Sequence, residues 1–574
     1  MSLIKETEKY LKEVINNLNY EIDEVALVRS NLPQFGQFQI NCAMGLAKKY
    51  GKNPRELAQE IVDYLDDRFV NVNIAGPGFI NLSFSDSVIM DYANKSVNDF
   101  SVFLDKDKPK TIIVDYGGAN AAKALHVGHM RSPNIGEAIK RLLKVYGNNV
   151  IGDVHLGDLG RQAGMLISEL MEEQPDLPYF DENYKGEYPK INITLQDLKR
   201  MYPLANKKAL EDPKKMELVR HITSEIDKGN KAYTALWKQM VDVSTVSIKE
   251  TYDKLNCTFE LWEGELDAFK YIPNVMEILK PYLYESEGAL VMDVKKDTDK
   301  VDMPPLMVIK NDGATIYATR DLGTLYSRME RFKPDEMWYF TDQRQALYFE
   351  QVFRGSYISG LVPETTKLYH FGFGTLNGPG GQPFKTRDGG VMDLNELIQN
   401  LKNEIDDKIK PEITGTEREE IADKLAIATL KYTDLLPHRK TDYIFDPVKF
   451  SSLDGKTGPY ILYTIVRIKS LLRKAEASDY KLTIIPNDEV KDVLLKIIEL
   501  PNALKNSLLE ASTNYICDIL YDITSLFNKF YNNHNILNEE NSEIKNSYLA
   551  LAKIVYSVCH NLLDILAIDE IDKM

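Results

Sequence analysis

The sequence predicts an α/β protein of three parts, with a doubly wound, Rossmann-type domain between a small α+β domain and an all-helical bundle. Three observations lead to this prediction. The chain has 574 residues, more than one hydrophobic core usually organises. Short β-rich apolar runs alternate with helical patterns in its middle part, and helical periodicity alone fills its last third.

Composition favours a cytoplasmic protein. Apolar residues make up 44% and charged residues 27%, and no segment approaches the ~20 apolar residues that span a bilayer. The first ten residues lack the apolar core of a signal peptide. The four cysteines are scattered without a CxxC pair, so we expect reduced thiols and no zinc site. A net charge of -16 argues weakly against nucleic-acid binding, although an acidic protein can still carry one basic face.

Residues 1–105 are expected to form the small first domain. A helical stretch opens it, and residues 36–41 are expected to form a loop before a helix over about 42–49. Pro54 fits the first turn of a further helix. Residues 74–82 indicate a turn entering a strand, and the polar run 105–110 suits a linker.

Residues 106–450 are expected to form the doubly wound domain. Residues 111–114 are a short apolar run typical of a buried parallel strand, and a Gly- and Ala-rich loop and a helix follow. Residues 150–151, 306–309 and 337–340 are further strand candidates, separated by helical segments. The charged helical stretch of about 170–250 is expected to be an insertion.

Residues 451–574 are expected to form the helical bundle. Apolar residues recur there at three- and four-residue steps and mark one face of an amphipathic helix, which we interpret as core: Leu551, Ile554, Val558, Leu562 and Ile565.

The string His126-Val127-Gly128-His129 follows the first strand's loop and opens a helix. Both histidines can face a phosphate there, and the helix N-terminus adds N–H donors and a favourable dipole. Glycine lets a nucleotide approach the backbone without a Cβ in the way. This context indicates an ATP-using nucleotidyl transferase. Metal binding is the rival interpretation, but no carboxylate or third histidine has the spacing to complete a site, so we predict none.

A second phosphate-binding candidate is the glycine-rich segment that leads to Lys385 and Arg387. Its composition suits a mobile loop that closes on a triphosphate, where cations would stabilise the charge that develops as pyrophosphate leaves. A solvated basic hairpin is the alternative.

The longer string over residues 114–132 resembles the class I arginyl-tRNA synthetases, in which this stretch runs from the first strand into the ATP-binding HIGH motif. The resemblance implies that Asp115 and Asn120 hold the amino acid's backbone groups. It also implies that Lys123 takes over from a lysine missing elsewhere. ATP would be bound by His126, Gly128 and His129 together with Lys385.

Further matches concern the arginine side chain. A guanidinium needs planar anionic recognition and can stack on an aromatic ring. By resemblance, Tyr317 and Asp321, one turn apart if helical, contact it, and Gln345 is the family's strand-end glutamine. Glu265 resembles a second guanidinium carboxylate, with an ordinary surface or core role as the open alternative.

One departure concerns the KMSKS motif that class I synthetases usually carry, because Thr386 stands where that motif has its second lysine. Many arginyl enzymes share this departure. It leaves open whether Lys123, Lys385 or Arg387 does most of the work on the phosphates.

The flanking domains also resemble the family. Residues 431–468 and 527–532 match its helical anticodon-binding domain, and residues 1–105 resemble the additional domain that contacts the tRNA elbow. The resemblance implies ligation of L-arginine to tRNA-Arg with ATP and its Mg²⁺, tRNA-dependent activation, and a monomer. A class I synthetase for another amino acid and a non-catalytic tRNA-binding paralogue remain as alternatives.

Overall fold

The computed structural model describes residues 1–30, 33–121, 125–311, 315–382, 392–475 and 479–574. The predicted phosphate-binding residues Lys123, Lys385 and Arg387, and Thr386 beside them, lie outside these ranges. Within the ranges, no helix is both long enough and apolar enough to cross a membrane.

The N-terminal part consists of helices and one antiparallel sheet. Its elements are α1 (Leu3–Asn17), β1 (Val28–Arg29), β2 (Phe38–Ile40), α2 (Cys42–Tyr50), α3 (Pro54–Val62), β3 (Phe69–Ala75), β4 (Phe79–Phe84) and α4 (Asp86–Ser96). The strand order of the sheet is β1-β2-β4-β3. The helix expected from Pro54 is confirmed, and Asn53 caps it by accepting from the Arg55 N–H at 2.9 Å. The expected loop at 36–41 was wrong for β2, because Phe38 and Ile40 bury their side chains and pair with β4.

The central part holds the parallel sheet, the insertion and a small antiparallel sheet. Its elements are β5 (Thr111–Asp115), α5 (Arg131–Val145), β6 (Asn149–Asp153), α6 (Arg161–Glu173), α7 (Leu195–Glu211), α8 (Pro213–Asp227), α9 (Lys231–Lys254), α10 (Ile272–Leu279), β7 (Leu283–Ser286), β8 (Ala289–Met292), β9 (Leu306–Ile309), α11 (Tyr317–Phe332), β10 (Glu336–Tyr339), α12 (Ala346–Ile358), β11 (Lys367–His370), β12 (Leu376–Asn377), α13 (Leu394–Ile405), α14 (Gly415–Leu435), β13 (Tyr443–Ile444) and α15 (Pro447–Phe450).

Four parallel strands form the main sheet in the order β11-β10-β5-β6, as the doubly wound prediction requires. The strands expected at 111–114, 150–151 and 337–340 belong to it. Residues 306–309 do form a strand, β9, but it pairs antiparallel with β8 in a separate sheet. Asp115 pairs in register with Asp153 and with Tyr339, so the carboxyl ends of three strands lie side by side.

The insertion is helical, as expected, and α7, α8 and α9 pack with α6 around their own apolar core. Trp237 of α9 is fully buried there, and its indole N–H donates to the Asp158 carbonyl at 2.5 Å. This bond fastens the insertion to the segment that follows β6.

The C-terminal part is helical. It comprises α16 (Gly458–Lys474), α17 (Asp488–Ile498), α18 (Leu500–Leu509), α19 (Asn514–Asn533) and α20 (Ser542–Ile565). The predicted apolar stripe lies on α20, and all five of its residues are buried in the core. Arg439, just after α14, joins this bundle to the central part by donating to the carbonyls of Gly372 and Glu510.

Candidate active site

A cavity of about 550 Å³ lies at the carboxyl ends of β5, β6 and β10. In open parallel sheets this edge is where ligands bind. The lining includes eight residues that the sequence predicts for the site: Asp115, Asn120, Gly128, His129, Glu265, Tyr317, Asp321 and Gln345. The fold therefore gathers into one cavity side chains that are separated by up to 230 positions in the chain.

The two histidines of the HxGH string lie against each other, with ring centroids 3.7 Å apart. His126 Nδ1 accepts from the Gly128 N–H, and His129 Nδ1 accepts from the His126 N–H, both at 3.1 Å. A nitrogen that accepts carries no proton, so these bonds assign the neutral tautomer with the proton on Nε2. A Cβ on Gly128 would come within 2.9 Å of the His126 ring. The position of this ring therefore requires glycine here, in addition to the expected approach of a nucleotide to the backbone.

Asp115 ends β5 and is buried against a guanidinium. Arg328 Nη2 on α11 donates to Asp115 at 2.6 Å and to Asp153, which ends β6, at 2.5 Å. Its Nη1 donates to the Tyr339 hydroxyl at 2.9 Å. Burial raises the pKa of Asp115, and Arg328 opposes that rise by favouring the carboxylate. Arg328 thus fixes the orientation of Asp115 at the cavity wall.

The same corner has the donor set of a metal site, but its chemistry argues against one. Ligand atoms of Asp115, Asp153 and His155 lie within 4.8 Å of one another. Arg328 already contacts both carboxylates, so a protein cation stands where a metal ion would bind. These residues do not fit a resident Mg²⁺, which prefers several oxygen ligands in octahedral geometry.

Asp321 and Tyr317 lie on the first turns of α11, as their spacing predicts. The Asp321 carboxylate accepts from the Tyr348 hydroxyl of α12 and lies 3.8 Å from His155 Nε2. Burial raises the pKa of Asp321, although His155 and Tyr348 favour its charged form. Tyr317 is 59% exposed and lines the cavity, and the Arg320 guanidinium carbon lies 5.2 Å from the centroid of its ring.

Glu265 is another carboxylate of the cavity lining, and its neighbours hold it in place. Its Oε2 accepts from Arg320 Nη1 at 2.6 Å. Burial raises the pKa of Glu265 to about 7, against the opposing effect of Arg320. Asp158 accepts from the Leu266 N–H at 3.0 Å and so anchors the 3₁₀ turn that carries Glu265. Burial raises the pKa of Asp158 to about 6.

Asn120 and Gln345 both line the cavity. Asn120 forms a parallel bridge with Gly157, and a Cβ at Gly157 would lie 2.8 Å from Asn120 Oδ1. Gln345 ends the 3₁₀ turn that begins α12, beyond the end of β10. That Asn120 holds the substrate's backbone groups, and that Gln345 is the family's strand-end glutamine for the substrate, stay predictions.

Sequence reasoning missed several polar side chains in and around the cavity, among them Asp153, His155, Arg328 and Tyr348. A signal existed for the first two, because Asp153 and His155 directly follow a predicted strand beside β5. Arg328 and Tyr348 lie on helices, and their sequence neighbours gave no such signal.

Comparison with known proteins identifies the class. The model of class I tRNA synthetases (R), catalytic domain, matches residues 95–447. The DALR anticodon binding domain matches residues 461–574, and the arginyl-tRNA synthetase N-terminal domain matches residues 5–84. The fold and the HxGH cavity therefore define a class I aminoacyl-tRNA synthetase.

Relatives narrow the class to one amino acid. An arginine–tRNA ligase of Alkaliphilus oremlandii is 42% identical over 584 residues, covering 100% of both chains. One of Agathobacter rectalis is also 42% identical, covering 98% of this chain and 100% of its own. The chain belongs to the arginine–tRNA ligase family.

Solved structures share the whole fold. The arginyl-tRNA synthetase of Plasmodium falciparum has a TM-score of 0.81 at 23% identity, covering 100% of this chain and 99% of its own. That of Thermus thermophilus has a TM-score of 0.79 at 18% identity, covering 100% of both. The three-part arrangement is therefore common to chains of very different sequence.

Proposed function

We propose that this chain activates L-arginine with ATP and transfers it to the terminal ribose of tRNA-Arg. The observation that carries the proposal is the single cavity that unites the HxGH histidine His129 with a buried carboxylate, Asp321, below an exposed phenol, Tyr317. An anionic pocket with an aromatic mouth suits a guanidinium, and the neighbouring histidines suit a phosphate.

Arginine would span the cavity. Its guanidinium would lie against Asp321 and Glu265, with Tyr317 over it, and its amino group would meet Asp115. The hydrogen bond from the Tyr348 hydroxyl occupies one carboxylate oxygen of Asp321, and the other oxygen, 3.8 Å from His155 Nε2, would receive the guanidinium. Lysine would bind less well because its point charge cannot contact two carboxylates in a plane, and citrulline lacks the charge.

Catalysis in this proposal is positioning and charge stabilisation without a covalent enzyme intermediate. The arginine carboxylate attacks the α-phosphorus of ATP, and pyrophosphate leaves. His126 and His129 would donate from Nε2 to the phosphates, with Lys123, Lys385 and Arg387 as the expected cations. Mg²⁺ would enter bound to the ATP phosphates. A terminal ribose hydroxyl of tRNA then attacks the adenylate carbonyl, and AMP leaves.

The tRNA would be held by the flanking parts, and we propose the division at about residues 105 and 450. In the helical part, Arg467 lies 4.9 Å from both the Tyr463 and Tyr531 ring centroids, and Tyr463 is 37% exposed. Aromatic rings beside a cation suit unpaired bases. Within the matching range 527–532, Phe527 and Phe530 are buried core residues and are not available to unpaired bases.

We propose that the enzyme works as a cytoplasmic monomer. All four cysteines are unpaired, and three of them are buried, which suits a reducing compartment.

The test of the proposed function is charging of a tRNA-Arg transcript with radiolabelled arginine, scored as acid-precipitable label. Label is expected with arginine and ATP, and not with the Asp321→Asn variant at the same arginine concentration. Charging by the Asp321→Asn variant at the wild-type rate would contradict the arrangement proposed for the guanidinium.

A further inference from the structure

A histidine in the cavity lining has no hydrogen-bonding partner for its ring among the residues that the structure describes. Both ring nitrogens of His155 are covered from solvent, and neither bonds to a group in the described ranges. Nε2 lies 3.8 Å from an oxygen of Asp321, and a ring nitrogen lies within 4.8 Å of a carboxylate oxygen of Asp115 and of one of Asp153. The ring therefore stands between the carboxylate expected for the amino group and the carboxylate expected for the guanidinium.

The charges that face this ring are mostly negative. Carboxyl groups approach it from β5, β6, the segment that follows β6, α11 and the 3₁₀ turn before α10, and α11 also carries two guanidinium groups. A small cavity behind the ring adds two acids and one lysine. The groups are Asp115, Asp153, Asp158, Asp321, Glu265, Arg320 and Arg328, with Glu263, Asp267 and Lys270 behind, and the phenols of Tyr339 and Tyr348 beside Asp321 and Arg328.

We propose that His155 holds a proton while the cavity is empty and releases it when arginine binds. This inference rests on the proposed function, because it takes arginine as the ligand. When the proton is released, a ring N–H bond of His155 breaks, its electron pair stays on the imidazole nitrogen, and the proton passes to a base in solution. The substrate's cation then replaces a cation that the protein supplied.

The electrostatics of the empty cavity support this replacement of the His155 proton by the arginine guanidinium. Burial by itself lowers the pKa of His155, but Asp115, Asp153 and Asp321 outweigh burial and Arg328, so the pKa lies above its usual value. A guanidinium bound to Asp321 would neutralise this carboxylate, which otherwise stabilises the protonated His155 ring. It would also place a second cation a few ångströms from the ring, and like charges at that distance repel strongly in a protein interior.

The exchange would also serve specificity. A neutral analogue such as citrulline would leave Asp321 and the imidazolium paired with each other, so it would gain nothing from the carboxylate. Only a cationic side chain can displace the proton and take over the carboxylate. His155 is thus a specificity-determining and positioning residue, which orients Asp321 until the substrate arrives.

A second group in the cavity can release a proton, and the experiment must separate the two. Burial raises the pKa of Glu265 to about 7, so part of its population is also protonated near neutral pH. Guanidinium binding would expel that proton too. Two variants are therefore needed, one at each residue.

The test is calorimetric titration of the full chain with L-arginine near pH 7, in buffers of different ionisation enthalpy. The dependence of the observed heat on that enthalpy counts the protons released per arginine. The substitution at the histidine is His155→Asn, because φ at this position is +36° and asparagine tolerates positive φ. The matched control is Glu265→Gln.

Wild-type enzyme is expected to release protons, His155→Asn to release less than half as many per bound arginine, and Glu265→Gln to retain most of the release. Equal release by wild type and His155→Asn, loss of release in Glu265→Gln alone, or no release by wild type would each overturn the inference. Failure of the wild-type chain to bind arginine at all would instead overturn the proposed function.

A measurement without any change at His155 gives an independent check. In the Glu265→Gln variant, arginine affinity is expected to rise with pH by up to about tenfold per pH unit below the folded-state pKa of His155, and then to level off. A flat affinity between about pH 5.5 and 8 would overturn the inference whether or not His155→Asn folds.

Discussion

Removing the guanidinium of Arg328 is expected to destabilise the central sheet next to the cavity. This group is buried and donates to Asp115, Asp153 and Tyr339. Arg328→Met keeps much of the apolar volume but removes the guanidinium that bonds to both Asp115 and Asp153. Loss of one partner from a buried ion pair costs about 3–5 kcal/mol, because an uncompensated charge stays buried.

The expected loss depends on pH in a defined direction. Asp115 already has a raised pKa in the folded protein, and the variant would raise it further. A carboxyl group with a raised folded-state pKa stabilises the fold when it is protonated, and this contribution disappears as pH rises. The deficit of Arg328→Met should therefore be smaller at about pH 5.5 than at pH 8. Adding Asp153→Asn should recover part of it, since one charge is removed.

Hydrogen exchange measured by mass spectrometry suits this three-part chain, because it reports the opening of individual elements. Peptides covering β5 and β6 should exchange two to nearly four orders of magnitude faster in Arg328→Met, which corresponds to about 3–5 kcal/mol. The matched control is Arg331→Met on the same helix, whose partly exposed pair with Glu263 is worth about 0–1 kcal/mol. Equal exchange in the two variants would refute the reasoning.

Three further predictions concern the substrate, the domain junction and the packing of α5. Asp321→Asn should weaken arginine use in pyrophosphate exchange by about 30-fold to several thousand-fold, because loss of a buried charge partner costs about 2–5 kcal/mol. ATP affinity measured by equilibrium binding should change little. Equal losses for both substrates would count against Asp321 as the guanidinium ligand. Arg439→Met removes the donors to the carbonyls of Gly372 and Glu510 and should lower the melting temperature. Hydrogen bonds of charged groups contribute about 1.5–3 kcal/mol each to the free energy of unfolding. An unchanged melting curve would contradict a role of Arg439 in joining the domains. Gly136→Ala would place a Cβ 2.3 Å from the Tyr116 ring and should cost about 1–3 kcal/mol, whereas Gly45→Ala, with open space around it, should leave the melting temperature near that of the wild type.

The site residues that lie on one continuous stretch of sequence could be predicted from that stretch alone. Asp115, Asn120 and the two histidines follow a strand and open a helix, so a linear pattern describes their arrangement. Tyr317 and Asp321 were likewise predictable, because residues four positions apart on a helix share a face. Contacts between residues on separate strands could not be predicted without knowing the register of the sheet. Asp153 faces Asp115 only because β5 and β6 pair in parallel.

The errors have physical reasons of the same kind. Residues 38–40 form a strand although glutamine and glycine precede them, because Phe38 and Ile40 find buried positions against β4. Residues 306–309 have the apolar run of a buried strand, but such a run does not reveal which sheet the strand will join. Arg328 was missed because a buried arginine on a helix is recognised only through the carboxylates that surround it.

The central claim is that this cavity activates arginine, and ATP–pyrophosphate exchange tests it most directly. Purified enzyme should be assayed with each amino acid in turn, with and without a tRNA-Arg transcript. Exchange with arginine alone among the amino acids, and only when tRNA is present, is the expected result. Exchange with another amino acid would contradict the assignment of Tyr317 and Asp321 to a guanidinium, and absence of exchange despite tRNA binding would contradict catalysis itself.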